Sequence, residues 1–136
     1  MKKTILSLLA AIMMAFSFSS CEHQTMRTTD FTINKWYQDG NLLTSTFYWP
    51  ELDEDVVDFG MVNVYFYDRN GSQNQLPFVY AATYPTDDGG TLTIAENITY
   101  YYGPGFITIT IEDMDGGMPG ADVWPSYSFR VVALGD

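Results

Sequence analysis

Phe106-Ile107-Thr108-Ile109-Thr110-Ile111-Glu112 alternates apolar and polar residues without a break. Side chains of a strand point alternately to opposite faces, so Ile107, Ile109 and Ile111 line one face and Thr108, Thr110 and Glu112 the other. That is a β-strand with one face in a core, and its neighbours repeat the pattern. In Met61 to Asp68, Val62, Val64 and Phe66 share a face opposite Asn63, Tyr65 and Tyr67. Leu43, Phe47 and Trp49 should point inward from Leu42 to Trp49, and Tyr127, Phe129 and Val131 from Tyr127 to Leu134.

Phe31 to Tyr37, Leu76 to Tyr84 and Thr91 to Tyr102 bring the set to seven strands. Asp39-Gly40-Asn41, Asn70-Gly71-Ser72 and Asp87-Asp88-Gly89-Gly90 are turn signals between them. Leu92, Ile94, Ile98 and Tyr100 share a face that also carries Glu96, which predicts a bulge or bend near Glu96-Asn97. No amphipathic run is long enough to cover a sheet. The expected fold is all-β, an Ig-like antiparallel β-sandwich of about seven strands.

One short helical turn is expected near 51–58. Pro50 suits a first helical position, and Glu51, Asp53 and Glu54 suit the positive end of a helix dipole. Leu52, Val56 and Phe59 would cap one end of the sandwich, and Gly60 would stop the turn.

The N-terminal segment carries a different signal. Lys2 and Lys3 precede an apolar run from Ile5 to Phe18, and Ser19 and Ser20 precede Cys21, the only cysteine. This is the order of a secretory signal. The run is shorter than the roughly 20 residues a membrane-crossing helix needs. With a cysteine at the cleavage point it resembles a bacterial lipobox, in which Cys21 is lipidated. The expected organisation is a signal peptide at 1–20, a lipid-anchored tether at 21–29 and a sandwich domain at 30–136.

Cleavage would leave 116 residues and move the formal charge from −11 to −13, through loss of Lys2 and Lys3. Only Arg27, Lys35, Arg69 and Arg130 then face 17 acidic residues. Such a surface excludes nucleic acid, which needs a basic face to neutralise phosphates. It also keeps the folded part from lying flat on anionic lipid, so membrane contact is expected through the lipid anchor only. An outer-membrane lipoprotein of the cell envelope is the expected location. Glu22 is followed by His23 and Gln24 rather than an acidic run, which leaves surface and periplasmic faces both open.

Catalytic chemistry has few materials. His23, the only histidine, lies two residues from Cys21 in the tether, where no triad geometry can be held. A lipidated Cys21 is neither nucleophile nor metal ligand, and zinc sites built from Cys and His are excluded by count. Paired carboxylates would need a cleft that a domain this small barely offers. The expectation is a protein that is not an enzyme.

Asp113-Met114-Asp115-Gly116-Gly117, with Asp122 in the same loop, has residue types that suit calcium. It lacks the third alternating ligand and the closing glutamate of an EF-hand. Asp53, Glu54, Asp55 and Asp58 read as a solvated helix start instead.

Three Trp, ten Tyr and nine Phe make 16% of the chain, more than a core this size obviously requires. Trp36, Tyr65, Tyr67, Tyr101 and Trp124 fall on faces or loops opposite the inferred core, and so form the candidate ligand-binding set. Rings of this kind stack on sugars, but cross-strand aromatic pairs also stabilise sheets by about 0.2–1 kcal/mol each. The loop from Asp113 to Ser126, with its glycines, prolines and Trp124, is the other expected recognition surface.

The block Pro50-Glu51-Leu52-Asp53-Glu54-Asp55-Val56-Val57-Asp58-Phe59-Gly60, followed by Val62, Val64 and Tyr65, then Leu76-Pro77 and Phe129-Arg130-Val131-Val132, is distinctive. It resembles a group of small Bacteroidetes-type lipoproteins of unknown function, over nearly the whole mature domain. Some members carry a Gly-Pro-rich collagen-like segment after the lipobox, which this chain lacks. The resemblance implies a compact β-sandwich at the cell envelope and brings no activity or ligand with it. The expected role is an interaction or binding module with an envelope protein partner. The alternative is a carbohydrate-binding module that recognises a glycan.

Overall fold

The alternation of Ile107, Ile109 and Ile111 holds: all three are fully buried, in a strand at the centre of a five-stranded sheet. The structure is a computed structural model and describes residues 25–117 and 119–135. The expected signal peptide and Cys21 lie outside the described residues. The elements are β1 (Thr25–Ile33), β2 (Tyr37–Asp39), β3 (Leu42–Tyr48), α1 (Glu54–Phe59), β4 (Met61–Tyr67), β5 (Gln73–Gln75), β6 (Phe78–Pro85), β7 (Thr91–Gly103), β8 (Phe106–Asp113) and β9 (Tyr127–Gly135). A 3-10 turn covers Ala121–Val123.

Two antiparallel sheets pack as a sandwich, one in the order β1-β9-β4-β5 and the other β2-β3-β8-β7-β6. Val62, Val64, Phe66, Phe129 and Val131 bury the inner face of the first, and Leu43, Ile98 and the three isoleucines that of the second. Phe31 of β1 stacks on Phe47 of β3 across the sheets, with ring centroids 4.2 Å apart and planes within 2°. Phe66 packs edge-on against Tyr80 and Tyr127 and at a tilt to Phe129. Each such pair adds about 0.5–1.5 kcal/mol beyond burial. Much of the aromatic excess is therefore core.

The first expected strand is two. β1 pairs with β9 in one sheet, while β2 pairs with β3 in the other, so the chain changes sheets at Asn34-Lys35. The tether is also shorter than expected, because Thr25 to Thr29 belong to β1 and Thr25 pairs with Gly135. This segment has no clear alternation because its apolar partners are supplied by β9, not by its own sequence. A further short strand, β5, pairs with the end of β4 after the expected turn at Gly71.

α1 begins later than Pro50 suggested. Asp53 is the N-cap, and its carboxylate accepts from the Val56 N–H at 3.0 Å; Glu54 and Asp55 occupy the first turn. Leu52 and Val56 are buried, but Phe59 is 86% exposed. β4 pairs only from Met61 onward, so Phe59 projects beyond the last pair of the sheet.

Gly60 does end the helix, but not through a left-handed conformation (φ −103°). Its need for glycine is space: a Cβ there would strike the carbonyl oxygens of Leu134 and Val56. Overpacking against backbone costs about 1–3 kcal/mol. Gly60→Ala should lower the unfolding midpoint in urea accordingly, whereas Gly117→Ala, whose Cβ would meet only Asp113 Oδ2 at an ordinary 3.9 Å, should leave it nearly unchanged.

Candidate functional site

β-hairpins and crossovers divide the ends of the sandwich unequally. α1, the start of β1 and the end of β9 share one end. The turns at 39–41, 68–72 and 86–90 and the loop from Asp113 to Ser126 lie at the other. Between the 86–90 turn and residues 119–123 is a shallow depression of about 340 Å³, walled by Tyr84, Leu92, Pro119 and Val123, with Asp87 and Asp122 at its rim. Leu92 was expected in the core, but it is 50% exposed here, because β7 runs past the end of β8 before it turns.

Both walls are locally fixed. In the turn, Gly90 N–H donates to the Asp88 carboxylate at 3.0 Å and Gly89 takes a positive φ of 83°. A hydrogen bond from the Thr86 hydroxyl is the main reason the Asp88 carboxyl lies below its ordinary pKa. The long loop is held by two indoles. Trp124 Nε1 donates to the Pro119 carbonyl at 3.0 Å, and Trp36 Nε1 donates to the Pro125 carbonyl at 2.8 Å.

Trp36 is therefore not a surface ring. It is 5% exposed, because the chain turns inward as it crosses between sheets. Trp124 is half-buried against the core. The remaining candidates do not form one platform. Tyr65 and Tyr67 lie on the outer face of the four-stranded sheet, where the Tyr67 hydroxyl approaches Asp30 and Arg130 covers the Tyr67 ring. Tyr101 is on the opposite side of the sandwich, 59% exposed and edge-on to Phe106.

Two rings outside the candidate set join Tyr101 on that face. Tyr37 and Tyr48 are 75% and 76% exposed. Thr44, Thr46, Thr99 and Thr110 lie between these rings in register across β3, β8 and β7, while Thr108 among them is buried and shares a hydroxyl hydrogen bond with Thr46 at 2.8 Å. The same alternation that placed Leu43 and Phe47 inward puts Tyr48 outward, so this signal was in the sequence.

Beneath the depression lies a buried acid, Glu96. β7 pairs with β6 and β8 in unbroken register through Glu96, so the expected bulge is absent and Glu96 points into the core. It is 1% exposed and accepts from the Tyr84 hydroxyl at 2.9 Å and the Tyr127 hydroxyl at 2.7 Å. Two buried donors let the strand stay regular; a bend was the solution only if no partner existed. Burial raises the Glu96 pKa, the Tyr127 and Tyr84 hydrogen bonds oppose that shift, and the negative charge of Asp113 adds to it. Burial likewise raises both tyrosine hydroxyls.

Asp113, the cross-strand neighbour of Glu96, is 2% exposed. Its Oδ1 accepts from the Asp115 N–H at 2.8 Å, and its Oδ2 has no hydrogen-bond partner among the described residues. Asp115 turns away to accept from the Ala95 N–H at 3.3 Å, while Asp122 lines the depression. Among the described residues, no three of His, Cys, Asp or Glu come together to hold a metal ion. The three acids read as a calcium loop thus have three separate tasks in this geometry.

No protein-family model, curated protein or solved structure matches this chain.

Proposed function

We propose that this chain is a non-catalytic, lipid-anchored interaction module of the bacterial cell envelope, and that it recognises an envelope protein with its loop end. The observation that carries this reading is the depression between the 86–90 turn and residues 119–123. It combines apolar walls with a carboxylate rim, between a turn fixed by Asp88 and a loop pinned by two tryptophans. Rigid loops on a sandwich are a common place for recognition. Asp87 and Asp122 are solvent-exposed, and Glu96, the only fully buried glutamate among the described residues, is covered by two tyrosines. The buried glutamate is thereby closed to a substrate.

The location rests on the lipobox resemblance and on the likeness to small envelope lipoproteins. Photo-cross-linking in cells, with the reactive group at Val123, tests the reading. A discrete adduct that is lost on Leu92→Asp supports it. Adduct formation of equal yield from Val123 and from an exposed control at Asn70 would sink it.

The Tyr37, Tyr48 and Tyr101 face supports a second reading, a carbohydrate platform, because three exposed rings for stacking share that face with Thr44, Thr46, Thr99 and Thr110. A glycan-array screen, run with and without calcium, separates the two. Binding that falls at least tenfold on Tyr48→Ala or Tyr101→Ala, but not on Leu92→Asp, would favour the sugar. A blank array at high protein loading would remove it for the glycans tested.

A further inference from the structure

We propose that the α1 end of the sandwich rests in the headgroup zone of a zwitterionic lipid leaflet, through an apolar rim of Met26, Phe59, Met61 and Leu134. This deepens the reading of Cys21 as the lipidated residue and rests on it.

The rim follows from register. Met26 of β1 and Met61 of β4 both pair with Leu134 of β9, so the three side chains form one row on the outer face of the four-stranded sheet. Met26 is 67% exposed and Met61 58%; Phe59, two residues before Met61, is 86% exposed. The rows beyond become polar. Thr28, Val132 and Asn63 come next, then Asp30, Arg130 and Tyr65. There the Arg130 guanidinium donates to Asp30 at 2.7 Å. On the outer face of this sheet, the exposed large aliphatic side chains are therefore confined to the end where β1 begins.

That end is also where covalent geometry brings the anchor. From Cys21 to Thr25 is four residues, which reach at most about 14 Å when fully extended. A leaflet's headgroup zone is about 5–8 Å thick, so an acylated Cys21 keeps the start of β1 at the membrane surface in any conformation. Exposed apolar side chains and the shortest path to the lipid thus coincide, although nothing in the sandwich core requires it.

The other sheet contributes at the same end. Trp49 N–H donates to the Gly105 carbonyl and Gly105 N–H to the Leu52 carbonyl, which ties the end of β3 and the β7–β8 turn to the segment entering α1. Tyr48, exposed at that point, has the amphipathic character favoured at membrane interfaces. Glu54, Asp55 and Asp58 are exposed on α1 and oppose anionic lipid, which is why the proposal commits to zwitterionic headgroups. Four apolar side chains would bind a membrane weakly alone, but the anchor makes their contact intramolecular. β9, nine residues long, spans about 30 Å. This orientation would present the loop end about that far from the lipid.

The test uses the mature, acylated chain in phosphatidylcholine vesicles. Cys21 would be a thioether, so Phe59→Cys, Met61→Cys and Asp87→Cys each add one free thiol for a nitroxide label. All three positions are exposed, and none of the changes touches the core. Labels at 59 and 61 should collide several-fold more often with oxygen, and several-fold less often with a soluble nickel chelate, than the label at 87. Identical aqueous behaviour at all three sites, on protein whose mass includes the acyl chains, would overturn the proposal and leave the lipoprotein reading standing. A mass without acyl chains would overturn both. Labels at 59 and 61 shielded from both reagents in detergent as in vesicles would mark a protein neighbour and overturn the lipid contact.

Discussion

Phe129→Ala is expected to lower the free energy of unfolding by about 3–5 kcal/mol, the range for removing a fully buried phenylalanine. Phe129 is 0% exposed on β9, the strand between β1 and β4. Its ring lies 5.4 Å from Phe31 and 5.8 Å from Phe66. Phe31 in turn stacks on Phe47, so one truncation loosens contacts that run across both sheets. Close-packed neighbours collapse only partly into the space, and the cavity adds to the lost transfer energy. Domains of this size are commonly stable by about 5–15 kcal/mol, so the variant should unfold at a much lower urea concentration with a similar slope. Tyr101→Ala, on the solvent face, should shift the midpoint by well under half as much. Equal midpoints for Phe129→Ala and the parent would show that this core is not the one described.

Glu96 should control how stability varies with pH. Burial holds its folded pKa above the unfolded value of about 4.3. Between those two values the native state keeps a proton that the unfolded chain has lost. The stabilisation is therefore complete below about pH 4.3 and is lost as pH rises through the folded value. Asp30, Asp68 and Asp88 act in the opposite sense. Arg130, the Ser72 N–H and the Thr86 hydroxyl respectively hold their carboxyls below the ordinary value. Their contributions are present above about pH 3.9 and fade as pH falls through the lowered values. The urea midpoint should thus be highest near about pH 4 and decline toward neutrality. Glu96→Gln should abolish the decline on the neutral side and leave the acid side unchanged.

Truncation is a harsher change than neutralisation. Glu96→Ala removes the acceptor for both Tyr84 and Tyr127 in a site closed to water. An orphaned buried donor costs about 1–3 kcal/mol, so for two donors a loss of about 2–6 kcal/mol is expected at acid pH, where the parent glutamic acid is neutral. A parent midpoint that rises from about pH 4 to neutrality would contradict the burial of this group.

Legibility in the sequence followed the local periodicity. Val62, Val64 and Phe66, the isoleucines of β8, and Phe129 with Val131 could be placed because a period of two needs no knowledge of the partner strand. Trp36 could not, since its burial depends on Pro125, 89 residues away, offering a carbonyl to its indole. Glu96 was legible as an anomaly, but its resolution required Tyr84 and Tyr127 from two other strands. The candidate site was least legible. The depression exists because the 86–90 turn and residues 119–123 are brought together, and neither segment announces the other.

By its own pattern the chain determined a two-layer β protein, its inward-facing residues and its turns, because alternation and turn chemistry act over a few neighbouring residues. Only the tertiary structure decided which strands share a sheet, that Thr25–Thr29 close one edge against β9, and that Glu96 lies in the core. It also decided that Met26, Phe59, Met61 and Leu134 meet at one rim. Those outcomes depend on register between distant strands, where the free energy resides in contacts made only after the chain has folded.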